Sequence, residues 1–222
     1  MCDKTVCAQC KKVVCTTRNY SRGEKHCPTI HRAAVIEAAK AEYDKPDIRN
    51  FAYQAMLQHN EAVLRLPEGG AVPRNPRVEE VAQFAKKMGY KKLGVAFCGA
   101  LREAAQILEE ILANRGFDVV SVCCTAGGLP VETVGVSENE KIGGPGTWQS
   151  MCSPITQAEI LNHEGVDFNI LVGLCVGHDS LFFKYAQAPT TVLLVKDRVF
   201  GHNPITALHE AHSFYRWLLR KE

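Results

Sequence analysis

The sequence predicts an α/β protein whose main part is a four-stranded parallel sheet between helices, in three layers. Four apolar runs of strand length alternate with stretches of helical periodicity, and short connections join most of them. That alternation is typical of parallel strands linked by right-handed crossovers. The runs span residues 93–98, 118–124, 167–175 and 190–195. We expect a Rossmann-like α/β domain over 76–222, preceded by a cysteine-rich metal-binding leader over 1–27 and a helical segment with linker over 28–75.

The composition excludes several classes of protein. Of the 222 residues, 46% are hydrophobic and 23% are charged, as in ordinary globular proteins, and the net charge is only +2. The sequence has no basic stripe of the kind that binds nucleic acid. It also has no apolar run typical of a membrane span or of a signal peptide. We expect a cytoplasmic protein with a small-molecule substrate or a redox partner. Ten cysteines are unusual in that compartment and indicate metal binding or redox chemistry.

The first 27 residues hold five of the cysteines and few aliphatic residues that could form a core. A metal that cross-links the segment supplies the missing stability, as in other small metal-binding domains. The spacing predicts a metal site made by four of these cysteines, namely Cys7, Cys10, Cys15 and Cys27.

The identity of this metal has two interpretations. Cys27-Pro28 is similar to the end of a bacterial ferredoxin motif, and Cys2-x4-Cys7-x2-Cys10 is similar to a plant-type [2Fe–2S] loop. Structural zinc normally has two close ligand pairs, whereas only Cys7 and Cys10 form one here. His26 and His31 keep a mixed zinc site open. We therefore favour an iron–sulfur cluster, with zinc as the alternative.

Helical signals follow the leader. Pro28 is suited to the first turn of a helix that extends to about residue 43. A second helix with an apolar stripe begins near Asp47 and extends to Leu66, and a linker rich in proline and glycine covers 67–76. A short amphipathic helix then ends at Gly89.

The strands of the α/β domain are separated by further helices. These helices cover about 101–112, 153–164 and 179–185, and a last one begins at Asn203-Pro204 and continues to about Leu219. The long connection over 125–149 contains paired glycines. It is interpreted either as a lid that orders on ligand binding or as a permanently ordered surface loop.

Cysteines occur where three of the four strands end. Cys98, Cys124 and Cys175 follow strands, and Cys152 precedes a helix. Because the carboxyl ends of parallel strands share one edge of a sheet, we expect these four thiols to surround one cofactor site. Cys123 and Cys124 point to opposite faces, and Cys124 is preferred because it is nearer the strand end. The alternative is that the thiols are packed as small hydrophobic side chains.

Polar residues at the same edge are candidates for catalysis. His178 and Asp179 are suited to acid–base chemistry, and Lys196 or Arg198 to holding an anion. Simple helix capping is the alternative role of Asp179. The sequence contains neither a G-x-G-x-x-G motif nor a Walker A lysine motif, which argues against the usual dinucleotide and triphosphate sites.

The cysteine pattern also resembles a known family. The leader cysteines with Pro28, the run GLCVGHDS over 173–180 and the run VKDRV over 195–199 resemble the DUF1847 family. That family comprises cysteine-rich prokaryotic proteins described as metal-binding, without an established activity. The resemblance covers nearly the whole chain, and it implies metal binding by the four leader cysteines, with Cys2 as an extra.

Two functional hypotheses follow from the sequence. The first is an iron–sulfur-dependent redox or sulfur-handling enzyme in which a leader cluster passes electrons to chemistry at the edge cysteines. The second is a non-catalytic zinc protein, a structural or sensing module whose edge cysteines are merely packed.

Overall fold

The computed structural model describes residues 4–221 and divides the chain into two compact units, with the boundary between Glu61 and Ala62. The three-part division expected from the sequence stays a prediction. Cys2 lies outside the described residues. Across residues 4–221, no helix combines the length and the apolar character that crossing a membrane requires.

The first unit consists of short helices. They are α1 (Val14–Thr17), α2 (Pro28–His31), α3 (Ala33–Glu42) and α4 (Pro46–Glu61), with 3₁₀ turns at Cys7–Gln9 and Tyr20–Arg22. The single helix predicted from Pro28 is interrupted at Arg32, whose φ of −131° and ψ of 36° are not helical. Among residues 4–61, the buried side chains are those of Val14, Cys27 and Gln58. The first half of this unit therefore has very little apolar core.

The second unit begins with a hairpin rather than with a linker. Strand β1 (Val63–Arg65) pairs antiparallel with β2 (Ala71–Pro73). The helix predicted to extend to Leu66 instead ends at Glu61. Gly69 and Gly70 both have positive φ, which a tight turn requires and which glycine adopts without strain. The paired glycines close the hairpin and override the helical periodicity before them.

The remaining elements form the predicted parallel sheet. Its strands are β3 (Lys92–Phe97), β4 (Asp118–Cys123), β5 (Phe168–Leu174) and β6 (Thr190–Val195), in the order β4-β3-β5-β6. The helices of this unit are α5 (Arg77–Lys87), α6 (Arg102–Asn114), α7 (Pro154–His163), α8 (His178–Tyr185) and α9 (Ile205–His209). All neighbouring strands of the sheet are parallel. The predicted α/β fold class is thus confirmed.

Helices cover both faces of this sheet, and each face has its own apolar cluster. On one face, side chains of α5 and α6 pack with Leu93, Val95 and Ile170. On the other face, Ala158 and Leu161 of α7 and Phe182 of α8 pack with side chains from β3, β4 and β5. Because β5 is buried along its whole length, its sequence is apolar except for Asn169, rather than alternating between apolar and polar residues.

A β-bulge at the end of β5 changes the direction of its side chains. The pairing of β5 with β6 shifts register between Leu171 and Val172, and again between Val172 and Leu174, where Gly173 lies. Val172 packs in the α5/α6 cluster and Leu174 in the α7/α8 cluster, although alternation puts residues two apart on one face. Gly173 has a φ of +68°, and a Cβ there meets Leu101 Cδ1 at 2.1 Å. The bulge therefore requires glycine, and it directs Leu174 towards α7.

The last predicted helix is much shorter than expected. It ends at His209, and 3₁₀ turns at Glu210–His212 and Arg216–Leu219 follow. The backbone departs from helix at Ser213, whose φ is −122° and ψ is −102°. The Ser213 hydroxyl donates a hydrogen bond to the Glu210 carbonyl, 3.2 Å away. Such local bonding competes with the helix.

The connection over 125–149 is folded by its own polar contacts. Two 3₁₀ turns lie in it, at Val131–Val134 and Glu138–Glu140. The Lys141 side chain is only 5% exposed and forms ion pairs with Glu132 and Glu138. These hydrogen-bonded ion pairs raise the pKa of Lys141 and lower the pKa values of both glutamates. The contacts agree with an ordered surface loop, and closure on a ligand stays a prediction.

Replacing Lys141 with methionine should loosen this loop, because two carboxylates then face each other without a cation. We expect faster amide hydrogen exchange over residues 131–147 at pH 7. The wild type should show the same loosening as the pH falls from about 5 through the glutamate range near 4. The pKa values of Glu132 and Glu138 are lowered in the folded chain, so their stabilisation is present above that range and is lost as they protonate.

Exchange rates are measured by mass spectrometry and corrected for the intrinsic effect of pH. The matched control is Lys40→Met, which removes an exposed ion pair with Glu37 and leaves the loop untouched. Unchanged protection in the Lys141 variant would show that the ion pairs do not hold the loop.

Candidate functional site

The structure brings four cysteines from four separate segments to one edge of the sheet. Cys98 follows β3, Cys124 follows β4, Cys175 follows β5 and Cys152 precedes α7. Together with Gln157, Leu174 and His178, they line one small pocket. The space between them is too narrow for a water molecule. All nine cysteines in the described part of the chain are free thiols.

The topology of the sheet explains this convergence. From β3 the chain moves to β4 on one side, and it later returns through β5 to β6 on the other side. The crevice between β3 and β5 is thus the point where the strand order reverses, and open α/β sheets bind their ligands at such points. Cys98 and Cys175 follow the two strands that border it.

Cys124 and Cys152 are a close pair. Their sulfurs are 3.8 Å apart, and the Ser153 N–H donates a 2.6 Å hydrogen bond to the Cys124 carbonyl. The hydrogen bond between the two sulfurs, followed by burial, raises the pKa of Cys124. The same bond lowers the pKa of Cys152. Burial adds to the shift at Cys124, because an apolar environment disfavours its thiolate.

The other two cysteines each contact a cation. Lys196 Nζ is 3.3 Å from Cys98 Sγ, and an Arg198 guanidinium nitrogen is 3.3 Å from Cys175 Sγ. Both cations follow β6, whose Val195 aligns with Leu174 of β5. This alignment places residues 196–198 beside the end of β5. Each of these two sulfurs thus has a cationic neighbour from the segment that follows β6.

Two buried polar atoms in the pocket have no hydrogen-bond partner among the described residues. They are His178 Nδ1 and Gln157 Oε1. The Gln157 amide nitrogen donates to the carbonyls of Phe97 and Val122, at 3.2 and 2.7 Å. Buried polar groups in proteins are nearly always bonded, so such unpaired atoms need an explanation. A ligand in the pocket would provide one.

The sequence did not single out Gln157, although it contained a signal for it. Gln157 lies on the buried stripe of α7 with Pro154, Ala158 and Leu161. A polar side chain at such a position must bond to something inside the protein. Here its amide nitrogen bonds to one carbonyl near the end of β3 and to one near the end of β4, close to the cysteines that follow these strands.

The three predicted catalytic residues have different surroundings. His178 lines the pocket, and Lys196 reaches Cys98. Asp179 is not among the described lining residues, and its carboxylate accepts the Ser180 N–H at 2.8 Å. A carboxylate in the first turn of α8 is stabilised by the helix dipole. These contacts favour the structural role for Asp179, and catalysis by His178 or Lys196 stays a prediction.

Cys123 and Cys124 are distinguished by the structure. Cys124 is 5% exposed and lines the pocket. Cys123 is partly exposed, with its sulfur 3.4 Å from the Thr125 hydroxyl. The strand therefore directs Cys124 to the site.

The leader cysteines are more dispersed. Cys7 and Cys15 are exposed, Cys10 is partly buried and Cys27 is buried. A 3₁₀ turn starts at Cys7, and residues three apart lie on the same side of such a turn, which suits Cys7 and Cys10 as a pair. Within residues 4–221, no three His, Cys, Asp or Glu side chains are already arranged to hold a metal ion. Metal binding in the leader and at the edge therefore stays a prediction.

Comparison with known proteins confirms the predicted resemblance. The model of a family described as a protein of unknown function, DUF1847, matches residues 27–193. The match includes all four edge cysteines but starts at Cys27, so it is narrower than expected and excludes Cys7, Cys10 and Cys15. An uncharacterized protein of Methanocaldococcus jannaschii is 40% identical over 212 residues, which cover 96% of this chain and 97% of that protein.

Proposed function

This chain belongs to the DUF1847 family, and we propose that it is a cysteine-dependent metalloprotein with two thiolate centres. In the edge centre, Cys98, Cys124, Cys152 and Cys175 bind a soft metal at the switch point of the sheet. In the leader centre, Cys7, Cys10, Cys15 and Cys27 bind an iron–sulfur cluster, with zinc as the alternative.

The convergence of four sulfurs on one narrow space supports the edge centre. A tetrahedral metal about 2.3 Å from each sulfur separates neighbouring sulfurs by about 3.8 Å. The sulfurs of Cys124 and Cys152 are 3.8 Å apart, so this pair already has the spacing of one tetrahedral edge. The other sulfurs must close around the ion. A space too small for water favours a single ion here over a cluster.

Charge balance gives independent support. Four thiolates and a divalent ion sum to a charge of −2, which is costly to bury without compensation. Lys196 and Arg198 contribute +2 at the sulfurs of Cys98 and Cys175. Two cations at thiols also explain why the chain carries a basic pair directly after β6. Packed cysteines that only fill space have no need of them.

The leader centre is supported by the weakness of its own fold. Val13 and Arg18, on either side of α1, both have positive φ although neither is glycine. Such residues cost of order 1–3 kcal/mol each and persist only where the surroundings hold them. Residues 4–27 bury only Val14 and Cys27. A metal bound to cysteines on both sides of this strained turn supplies the missing restraint.

The edge centre is suited to redox or sulfur chemistry on a small substrate. A metal held by all four cysteines would supply an electron carrier there, because it has no open coordination position for a substrate. The chain itself supplies His178 Nδ1, which can hold a proton at the pocket wall, and Lys196, which can neutralise an anion beside Cys98.

Metal and acid-labile sulfide analysis after anaerobic purification tests the proposal. We expect Cys98→Ser/Cys175→Ser to lose about one metal per chain, because two of four ligands are gone, while its sulfide content is unchanged. Cys10→Ser/Cys15→Ser should lose iron and sulfide. The matched control is Cys123→Ser, next to the site but outside it, which should keep the wild-type content. Wild-type metal content in the first variant would contradict the edge centre.

A second candidate is a non-catalytic zinc protein in which both centres are structural. The 3.8 Å sulfur spacing and the narrow pocket favour zinc at the edge as much as any other single ion. This candidate predicts a colourless protein that contains zinc and no labile sulfide. Brown protein with labile sulfide would exclude it.

A further inference from the structure

We propose that Cys124 and Cys152 form a reversible disulfide by exchange with low-molecular-weight disulfides, and that this reaction controls metal binding at the edge centre. The control of metal binding rests on the proposed function, because it requires a metal at the edge centre. The exchange itself stands on the geometry of the two cysteines.

The backbone holds the two cysteines together. The residue after Cys152, Ser153, donates its N–H to the Cys124 carbonyl at 2.6 Å. The two sulfurs are 3.8 Å apart, whereas bonded sulfurs are about 2.05 Å apart. Their backbones are already adjacent, so the proposal requires the two side chains to rotate and close this difference.

Exposure assigns the two thiols different parts in the reaction. Cys152 is partly exposed, whereas Cys124 and Cys98 are 5% and 8% exposed. An incoming disulfide can therefore reach Cys152 but neither of the two buried thiols. Cys175 is also partly exposed, and the 3.8 Å contact with Cys124 is what favours Cys152. Cys124 lies behind Cys152 as the second thiol, within reach of a mixed disulfide formed there.

The exchange is balanced in two steps. The Cys152 thiolate attacks one sulfur of an external disulfide RSSR, and a Cys152–SR bond forms as the first RS⁻ leaves. The Cys124 thiol gives up its proton and attacks the Cys152 sulfur, and the second RS⁻ leaves. One protein dithiol is thus oxidised while one external disulfide is reduced to two thiols. His178 Nδ1, at the wall of the same pocket, is suited to accept the released proton.

The disulfide and the metal are mutually exclusive. A bonded Cys124–Cys152 pair presents no thiolates, so the edge centre keeps only Cys98 and Cys175. Two ligands do not retain an ion that needs four. Oxidation should therefore release the edge metal, and reduction should restore its binding. The site thereby becomes sensitive to the thiol–disulfide state of its surroundings.

The test uses the full chain, purified without oxygen and then treated with hydroxyethyl disulfide. Free thiols are alkylated, cysteine linkages are mapped by mass spectrometry, and released metal is measured with a chromogenic chelator. We expect a Cys124–Cys152 bond, the loss of two free thiols at the edge and the release of about one metal per chain. Cys152→Ser should lose the bond, whereas Cys123→Ser should keep both the bond and the release of metal.

The outcomes separate the two proposals. A mapped Cys124–Cys152 bond in a chain that never held an edge metal would overturn the proposed function and the control of metal, but not the exchange. Metal bound at the edge without this bond would overturn the exchange and leave the proposed function intact. A Cys98–Cys124 or Cys152–Cys175 bond in its place would also overturn the inference, because it would show that exposure and proximity do not select the pair. Mapping in the wild type makes the test independent of how well the variants fold.

Discussion

Replacing Gly173 with alanine is expected to destabilise the α/β unit by about 2–5 kcal/mol. The positive φ of +68° costs an L-residue roughly 1–2 kcal/mol. The added methyl group also overlaps Leu101 Cδ1, 2.1 Å away, and overpacking of this kind typically costs about 1–3 kcal/mol. Leu101 packs against the α5/α6 cluster, so it has little free space to move into.

Urea unfolding followed by circular dichroism measures this effect. Gly116→Ala is the matched control, because Gly116 has a φ of +85° but no neighbouring atom within 4 Å of an added Cβ. It should lose only about 1–2 kcal/mol, from backbone strain alone. An equal decrease in the free energy of unfolding of the two variants would show that Leu101 moves aside without cost. The bulge would then require glycine for its backbone conformation alone.

Replacing Gln157 with glutamate is expected to cost at least about 3 kcal/mol at pH 7, because a buried carboxylate then faces two carbonyl oxygens. Gln157 is fully buried, and its amide nitrogen donates hydrogen bonds to the carbonyls of Phe97 and Val122. Part of the loss should be recovered as the pH falls towards 5. Burial raises the pKa of such a glutamate in the folded chain, so its destabilising effect grows as the pH rises through that value.

Unfolding of the wild type and the variant at pH 5 and pH 7 checks this prediction. Gln157→Leu serves as the control, because it removes the same two hydrogen bonds without adding a charge. We expect it to lose about 2 kcal/mol at both pH values, relative to the wild type at the same pH. A pH-independent loss in the glutamate variant would indicate that position 157 is open to solvent.

The sequence was sufficient to predict the parallel sheet and the edge at which its cysteines lie. Apolar runs that alternate with amphipathic helices specify parallel strands, and parallel strands bring their carboxyl ends together. Thiols directly after β3, β4 and β5 had to converge for that reason. The long loop returned Cys152 to the same edge, since a short antiparallel bridge between Pro130 and Ser150 closes it.

Other features of the fold could not be predicted, because they depend on contacts that the hydrophobic periodicity of the sequence does not indicate. The apolar stripe of α4 continued into residues 62–66, but pairing with 71–73 through a double-glycine turn made those residues a strand. The bulge at Gly173 lay inside an uninterrupted apolar run, and only a single glycine marked it. The role of Gln157, and the thiol that each cation contacts, depend on how elements distant in the sequence are aligned. No local sequence pattern contains that information.

The four edge cysteines are far apart in the sequence, whereas Cys7, Cys10, Cys15 and Cys27 lie within a short leader. If the leader binds a metal as proposed, all four of its ligands are available as soon as residues 1–27 have left the ribosome. The edge centre can form only after β5 has been inserted beside β3, and its cations arrive with residues 196–198. Contacts of such large sequence separation form late in folding. Until then the four thiols stay separated, so under the proposed function we expect the newly made chain to be oxidised more readily than the folded protein with its edge metal.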